Sequence, residues 1–85
     1  MKLNLYSAPW CSACQTVKKS LETLVVEDLD ITVINIDTLT REDLMKVQVR
    51  GIPTIVLQDS EGNELKRKSG SLTTQQLKQF LGLDN

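Results

Sequence analysis

The sequence predicts an α/β protein, a mixed four-stranded sheet with helices on both faces in the order β-α-β-α-β-β-α. Three observations carry this expectation. A β-branched run, ITVINI, follows a stretch with helical apolar spacing. Two helix starts led by threonine recur further along the chain. Between those starts lies the pattern of a hairpin.

The elements follow in order. Residues 2–7, KLNLYS, alternate Leu3 and Leu5 with polar neighbours and read as a first strand, ended by Pro9. From Cys11 to about Glu27, the residues Cys14, Val17, Leu21, Leu24 and Val25 recur at steps of three and four. That spacing makes one apolar helix face, with Lys18, Lys19 and Glu22 elsewhere on its surface. Residues 31–36 are nearly continuous in apolar character, as in a strand covered on both faces. Leu39-Thr40 followed by Asp43 and Leu44 forms an N-cap, a capping acid and a hydrophobic staple, opening a helix over 41–48. Leu72-Thr73 with Gln76 and Leu77 repeats the device. It opens a terminal helix with Leu77, Phe80 and Leu81 inward and Gly82 as its stop. TIVLQ (54–58), the turn DSEGN (59–63) and ELKRKS (64–69) complete the hairpin. Its last strand is cationic, which suits a solvated edge that must not pair with strangers.

Eighty-five residues are expected to form one domain, spanning 1–85. Ten basic residues balance eleven acidic ones, so the net charge of −1 offers no broad attraction for nucleic acid or anionic lipid. The N-terminus lacks the pattern of a signal peptide. No run approaches the roughly 18 apolar residues that span a bilayer. The expected location is cytoplasmic, where structural disulfides are rare and two cysteines are more often a working pair.

Both cysteines lie in SAPWCSACQ, at i and i+3 of the first helix. At a helix start two such sulfurs can join within ordinary disulfide geometry. Cys11 there faces unpaired backbone N–H groups and the positive end of the helix dipole, which favour its thiolate. Cys14 falls on the inward stripe and keeps its proton. The expected roles are nucleophile for Cys11 and resolving thiol for Cys14. A half zinc site is the competing reading, but the chain has no histidine and no second cysteine pair.

APWCSAC followed some forty residues later by RGIPT resembles the thioredoxin family, over about residues 2–82. The element order is that of its compact, glutaredoxin-sized members. The resemblance implies a cis bond before Pro53, facing the cysteines, with the backbone of Ile52 offered to an extended substrate segment. Gly51 would allow close approach, and Gly70 would lie beside the same groove, its pattern fitting equally a turn glycine before the last helix. Trp10 is expected as an apolar rim that receives the partner, and Tyr6 as rim or sheet-face residue.

Three departures matter. Leu5 stands where thioredoxins bury an aspartate that takes the resolving proton, and Val33 where they have an accompanying lysine. Ser12-Ala13 replaces the family's usual dipeptides, and the N–H of Ala13 is expected to be one more donor near the Cys11 sulfur. Ser71, Leu72, Thr73 and Thr74 follow Gly70 without the acid that grips glutathione in glutaredoxins. The resemblance implies a dithiol–disulfide oxidoreductase acting on protein disulfides, with no metal or organic cofactor beyond the Cys11–Cys14 pair. A flavoprotein thioredoxin reductase or glutathione would supply electrons, ribonucleotide reductase is a plausible client, and the chain is expected to be a monomer. The rival reading is a binding module that docks partners through Trp10 and Pro53, with incidental redox activity.

Overall fold

The computed structural model describes residues 1–24 and 29–82. The elements are β1 (Lys2–Ser7), α1 (Ser12–Thr23), β2 (Asp30–Asn35), a 3-10 turn (Ile36–Thr38), α2 (Arg41–Lys46), β3 (Thr54–Gln58), β4 (Glu64–Ser69) and α3 (Thr74–Leu81). They form one four-stranded sheet in the order β2-β1-β3-β4. β1 and β2 are parallel, and β3 runs antiparallel to both β1 and β4. The expected mixed sheet is present.

Strand alternation sorts the core into two layers. Leu3 and Leu5 of β1 lie opposite Leu57 and Ile55 of β3, and these four pack with Val17, Leu21, Leu72 and Leu77. That layer sits between the sheet and the pair α1 and α3. On the other face Tyr6 and Val56 pack with Val49 and with Leu44 of α2. Tyr6 is therefore a sheet-face residue.

Both threonine caps form as the sequence predicts. Thr40 and Thr73 each accept from the backbone N–H three residues on, while Asp43 and Gln76 reach back to the cap's own N–H. Gly82 closes α3 with a left-handed φ of 75°, a conformation open to glycine without strain.

The structure departs from the sequence reading at four places. α1 closes at Thr23, with Leu24 extended and its N–H turned to the Leu21 carbonyl at 3.2 Å. The Thr23 hydroxyl bonds the Ser20 carbonyl at 2.7 Å, so the last turn is tied off locally. Val25 and the rest of the expected helix to Glu27 lie outside the described residues. α2 stops at Lys46, two residues short of expectation, because Gln48 adopts a φ of 58°. β2 ends at Asn35 and is an edge strand, not one covered on both faces: Ile31 is 40% and Val33 43% exposed. Finally, β4 is not simply a solvated edge. Lys66 donates to the Phe80 carbonyl near the end of α3 at 3.0 Å. Arg67 donates to the Val47 and Gln48 carbonyls just past α2 at 3.0 and 2.9 Å, and pairs with Glu64 at 2.7 Å. Neighbouring cations on opposite faces of one strand thus each serve the negative end of a helix.

Candidate active site

Sheet register gathers the site at one end of the molecule. Ser7 closes β1 beside Asn35, which leads into the 3-10 turn, and Tyr6 lies opposite Thr54, the residue after Pro53. Thr54 in turn pairs with Ser69, the residue before Gly70. Three connections therefore surround the chain segment that carries the cysteines.

That segment turns sharply, with Cys11 N–H donating to the Ala8 carbonyl at 3.1 Å. The Gln15 side chain donates to the same carbonyl at 3.2 Å and fastens the loop to α1. Cys11 is the N-cap of α1, one position earlier than the sequence reading placed it in the helix. Its backbone is extended, with φ −97° and ψ 106°, and its Sγ accepts from the Cys14 N–H at 3.2 Å. A thiol thus takes the place that serine or threonine oxygen usually holds at a helix start. The expected extra donor at Ala13 is not among the bonds to Cys11 Sγ; the Cys14 N–H is the backbone donor found there.

The two thiols are free and differ in surroundings. Cys11 is half-buried, whereas Cys14 has no exposed surface. Burial, then a hydrogen bond donated by its S–H to Cys11, push the Cys14 thiol up to about 11, against a weaker opposing bond from the Ala8 backbone. Among the described residues no carboxylate acts on it. Leu5 lies buried in the aliphatic layer, and Val33 is on the exposed edge.

Across the site the Ile52–Pro53 bond is cis. Gly70, at φ 96°, donates its N–H to the Pro53 carbonyl at 2.8 Å. The Thr54 hydroxyl donates to the Gly51 carbonyl at 2.6 Å and lies 3.2 Å from the Ser69 hydroxyl. Gly70 thus holds the proline loop from behind. The Ile52 side chain packs against the α2-side core, and among the described residues no hydrogen bond occupies its backbone. Any side chain at Gly51 would enter open space, so room alone does not require glycine there.

Trp10 is 68% exposed and stands beside the pair. Its indole Nε1 donates to Asp37 Oδ2 at 3.0 Å and Oδ1 at 3.4 Å. Sequence reading missed Asp37. No local signal marks it, because parallel pairing of β1 with β2 is what brings position 37 beside position 10. The Asn35 side chain fixes the turn by accepting from the Asp37 N–H at 2.9 Å. Among the described residues, no group of three or more His, Cys, Asp or Glu could hold a metal ion.

A family model described as Thioredoxin matches residues 2–82, nearly the full length in hand. The chain belongs to the thioredoxin family. Its fold is the thioredoxin fold, and the spaced cysteine pair supports a redox role. Among solved structures it is similar to a mutant thioredoxin from Halobacterium salinarum, at 29% identity and a TM-score of 0.78 over 93% of this chain and 69% of that one. A protein titled Trxlp from Edwardsiella tarda gives 27% identity and a TM-score of 0.82, covering 94% of this chain and 80% of the other. Thioredoxin 1 from Thermosipho africanus shares the fold at 23% identity, with a TM-score of 0.73 and coverage of 98% and 97%. Curated proteins yield no match. No helix among the described residues of this thioredoxin-family chain is long and apolar enough to cross a membrane.

Proposed function

We propose that the chain is a dithiol–disulfide oxidoreductase that exchanges electrons with protein disulfides through Cys11 and Cys14. The observation that carries this reading is the opening turn of α1, where the N–H of buried Cys14 is directed at the Sγ of half-buried Cys11. Of the two sulfurs, only that of half-buried Cys11 is open to an incoming disulfide, while Cys14 waits beneath it as the resolving thiol.

The Cys11 thiolate attacks one sulfur of the substrate disulfide, forming a mixed disulfide and expelling the other sulfur as a thiolate. Cys14 then gives up its proton, either to that thiolate or to water, and attacks Cys11 Sγ. The second substrate sulfur leaves, and the substrate gains two electrons while Cys11 and Cys14 become a disulfide. With no carboxylate among the described residues acting on Cys14, this proton leaves without help from an acidic side chain. An extended substrate would pair with the unoccupied backbone of Ile52 beside Pro53, a short case of strand addition. Trp10, held upright by Asp37, would cover the incoming disulfide from the other side.

No metal or organic cofactor enters this scheme. Electrons would come from a flavoprotein thioredoxin reductase or from glutathione in the cytoplasm, with ribonucleotide reductase as a candidate client; family resemblance supports these assignments. The binding-module reading draws on Leu5, a buried aliphatic side chain where the family has an aspartate. Reduction of a protein disulfide such as those of insulin separates the two. Cys14→Ser should accumulate a mixed disulfide through Cys11, seen as a mass adduct that dithiothreitol removes. Equal rates for wild type and Cys11→Ser would instead favour the binding module.

A further inference from the structure

The two edges of the sheet are built differently. β4 carries Lys66, Arg67 and Lys68, charges that discourage pairing with another strand. β2 is Asp-Ile-Thr-Val-Ile-Asn, β-branched through its centre and without a cation or proline. Among the described residues no strand lies beyond it. The Asp30 N–H bonds the Met1 carbonyl at 3.0 Å, so Asp30 turns its backbone groups toward β1. By alternation Ile31, Val33 and Asn35 turn theirs outward. The Asn35 carbonyl accepts from the Thr38 hydroxyl at 2.7 Å, which leaves Ile31 and Val33 as the edge's ready positions.

We propose that β2 pairs antiparallel with β2 of a second copy of this chain, with Ile31 opposite Val33 and Thr32 opposite Thr32 across a two-fold axis. Both Ile31–Val33 positions become hydrogen-bonded pairs, each exchanging two backbone bonds. Ile31 and Val33 pair in register with Leu3 and Leu5 and so stand on the α1 face. Four β-branched side chains, two from each copy, then form one apolar strip along the seam.

Charge complementarity selects a second copy as the occupant. A shallow cleft between α1 and β2 is lined by Lys18, Leu21, Glu22, Ile31 and Val33. A neighbouring one places Lys18 with Val33 and Asn35, toward the far end of β2. Glu22 therefore stands near the level of Ile31 and Lys18 near that of Val33. The two-fold sets Glu22 of each copy against Lys18 of the other, above the strip. Two cysteine sites would lie at opposite ends of the joined sheet. An edge of six residues is small beside the roughly 1,200 Å² that stable interfaces bury, so the association is weak and depends on concentration. The expected monomer is then the dilute form.

Sedimentation equilibrium of the reduced protein across a concentration series tests this. The expected mass rises from 9.5 kDa toward twice that value. Val33→Lys and, independently, Ile31→Lys should hold the monomer mass at every concentration while keeping the wild-type circular dichroism. Lys18→Glu and Glu22→Lys should each weaken association at least several-fold, and the double variant K18E/E22K should restore it. With Cys11 and Cys14 replaced by serine, Thr32→Cys should oxidise to a covalent dimer. A constant monomer mass at millimolar concentration, or a dimer that survives Val33→Lys, overturns the proposal, as does a double exchange that fails to restore association.

Discussion

The three α-helices among the described residues begin with the same hydrogen bond, yet one beginning differs in kind. At α2 and α3 a threonine accepts from the third residue's N–H, and an Asp43 or Gln76 side chain returns the bond to the cap. At α1 the cap is Cys11, the third residue is Cys14, and nothing returns to the cap's backbone N–H, which goes to Ala8. The reciprocal bond of the capping box is therefore missing at α1. The Cys11–Cys14 pair is thus half of a capping box, with a sulfur as the cap's acceptor. Sulfur is a weak acceptor, so α1 gives up capping strength and gains an accessible thiol at its first turn.

The largest effect expected from this contrast is at Cys11. Cys11→Ser keeps a good N-cap, so thermal stability should stay within about 1 kcal/mol of wild type while disulfide reduction falls to background. Loss of both would show that Cys11 is needed for structure and would remove the contrast with Thr40 and Thr73.

Next comes a pH effect confined to the reduced protein. The Cys14 thiol is pushed from an ordinary value of 9.0 to about 11. Between those values the unfolded chain has released this proton while the native chain retains it. The native state then binds more protons, so stability falls as pH rises from about 9 to about 11. Urea titrations should show that decline in the reduced wild type and a shallower one in the disulfide form and in Cys14→Ala.

Thr73→Ala should cost about 1 kcal/mol by losing the cap of α3, without changing the rate of disulfide reduction. A comparable rate loss would mean that the terminal helix supports the site more directly than its contacts with the sheet suggest.

Ala13→Pro should matter least. Proline is tolerated in the first turn of a helix, and the N–H it removes is not among those found at Cys11 Sγ. The redox potential should therefore shift little, measured against a glutathione buffer; a large drop would restore the donor role that the sequence suggested for this position.

What was legible beforehand divides along the same line as these caps. Thr40, Thr73, Gly82 and the cysteine spacing act over three or four residues, so the sequence displays them directly. The cis bond at Pro53 was legible only through resemblance, since the local pattern is equally that of a strand start. Sheet order is different. ITVINI has the composition of a buried strand, but coverage depends on what lies beyond it, and here nothing described does. Asp37 and Arg67 were missed or undervalued for the same reason. Their partners, Trp10 and the carbonyls after α2, are 27 and about 20 positions away and meet them only through folding.

The division of labour between the two sulfurs has one direct test. Reduced protein treated at neutral pH with substoichiometric iodoacetamide, then digested and analysed by mass spectrometry, reports which thiol reacts. Alkylation at Cys11 with Cys14 untouched is the predicted result; labelling of Cys14 first, or of both equally, would contradict it.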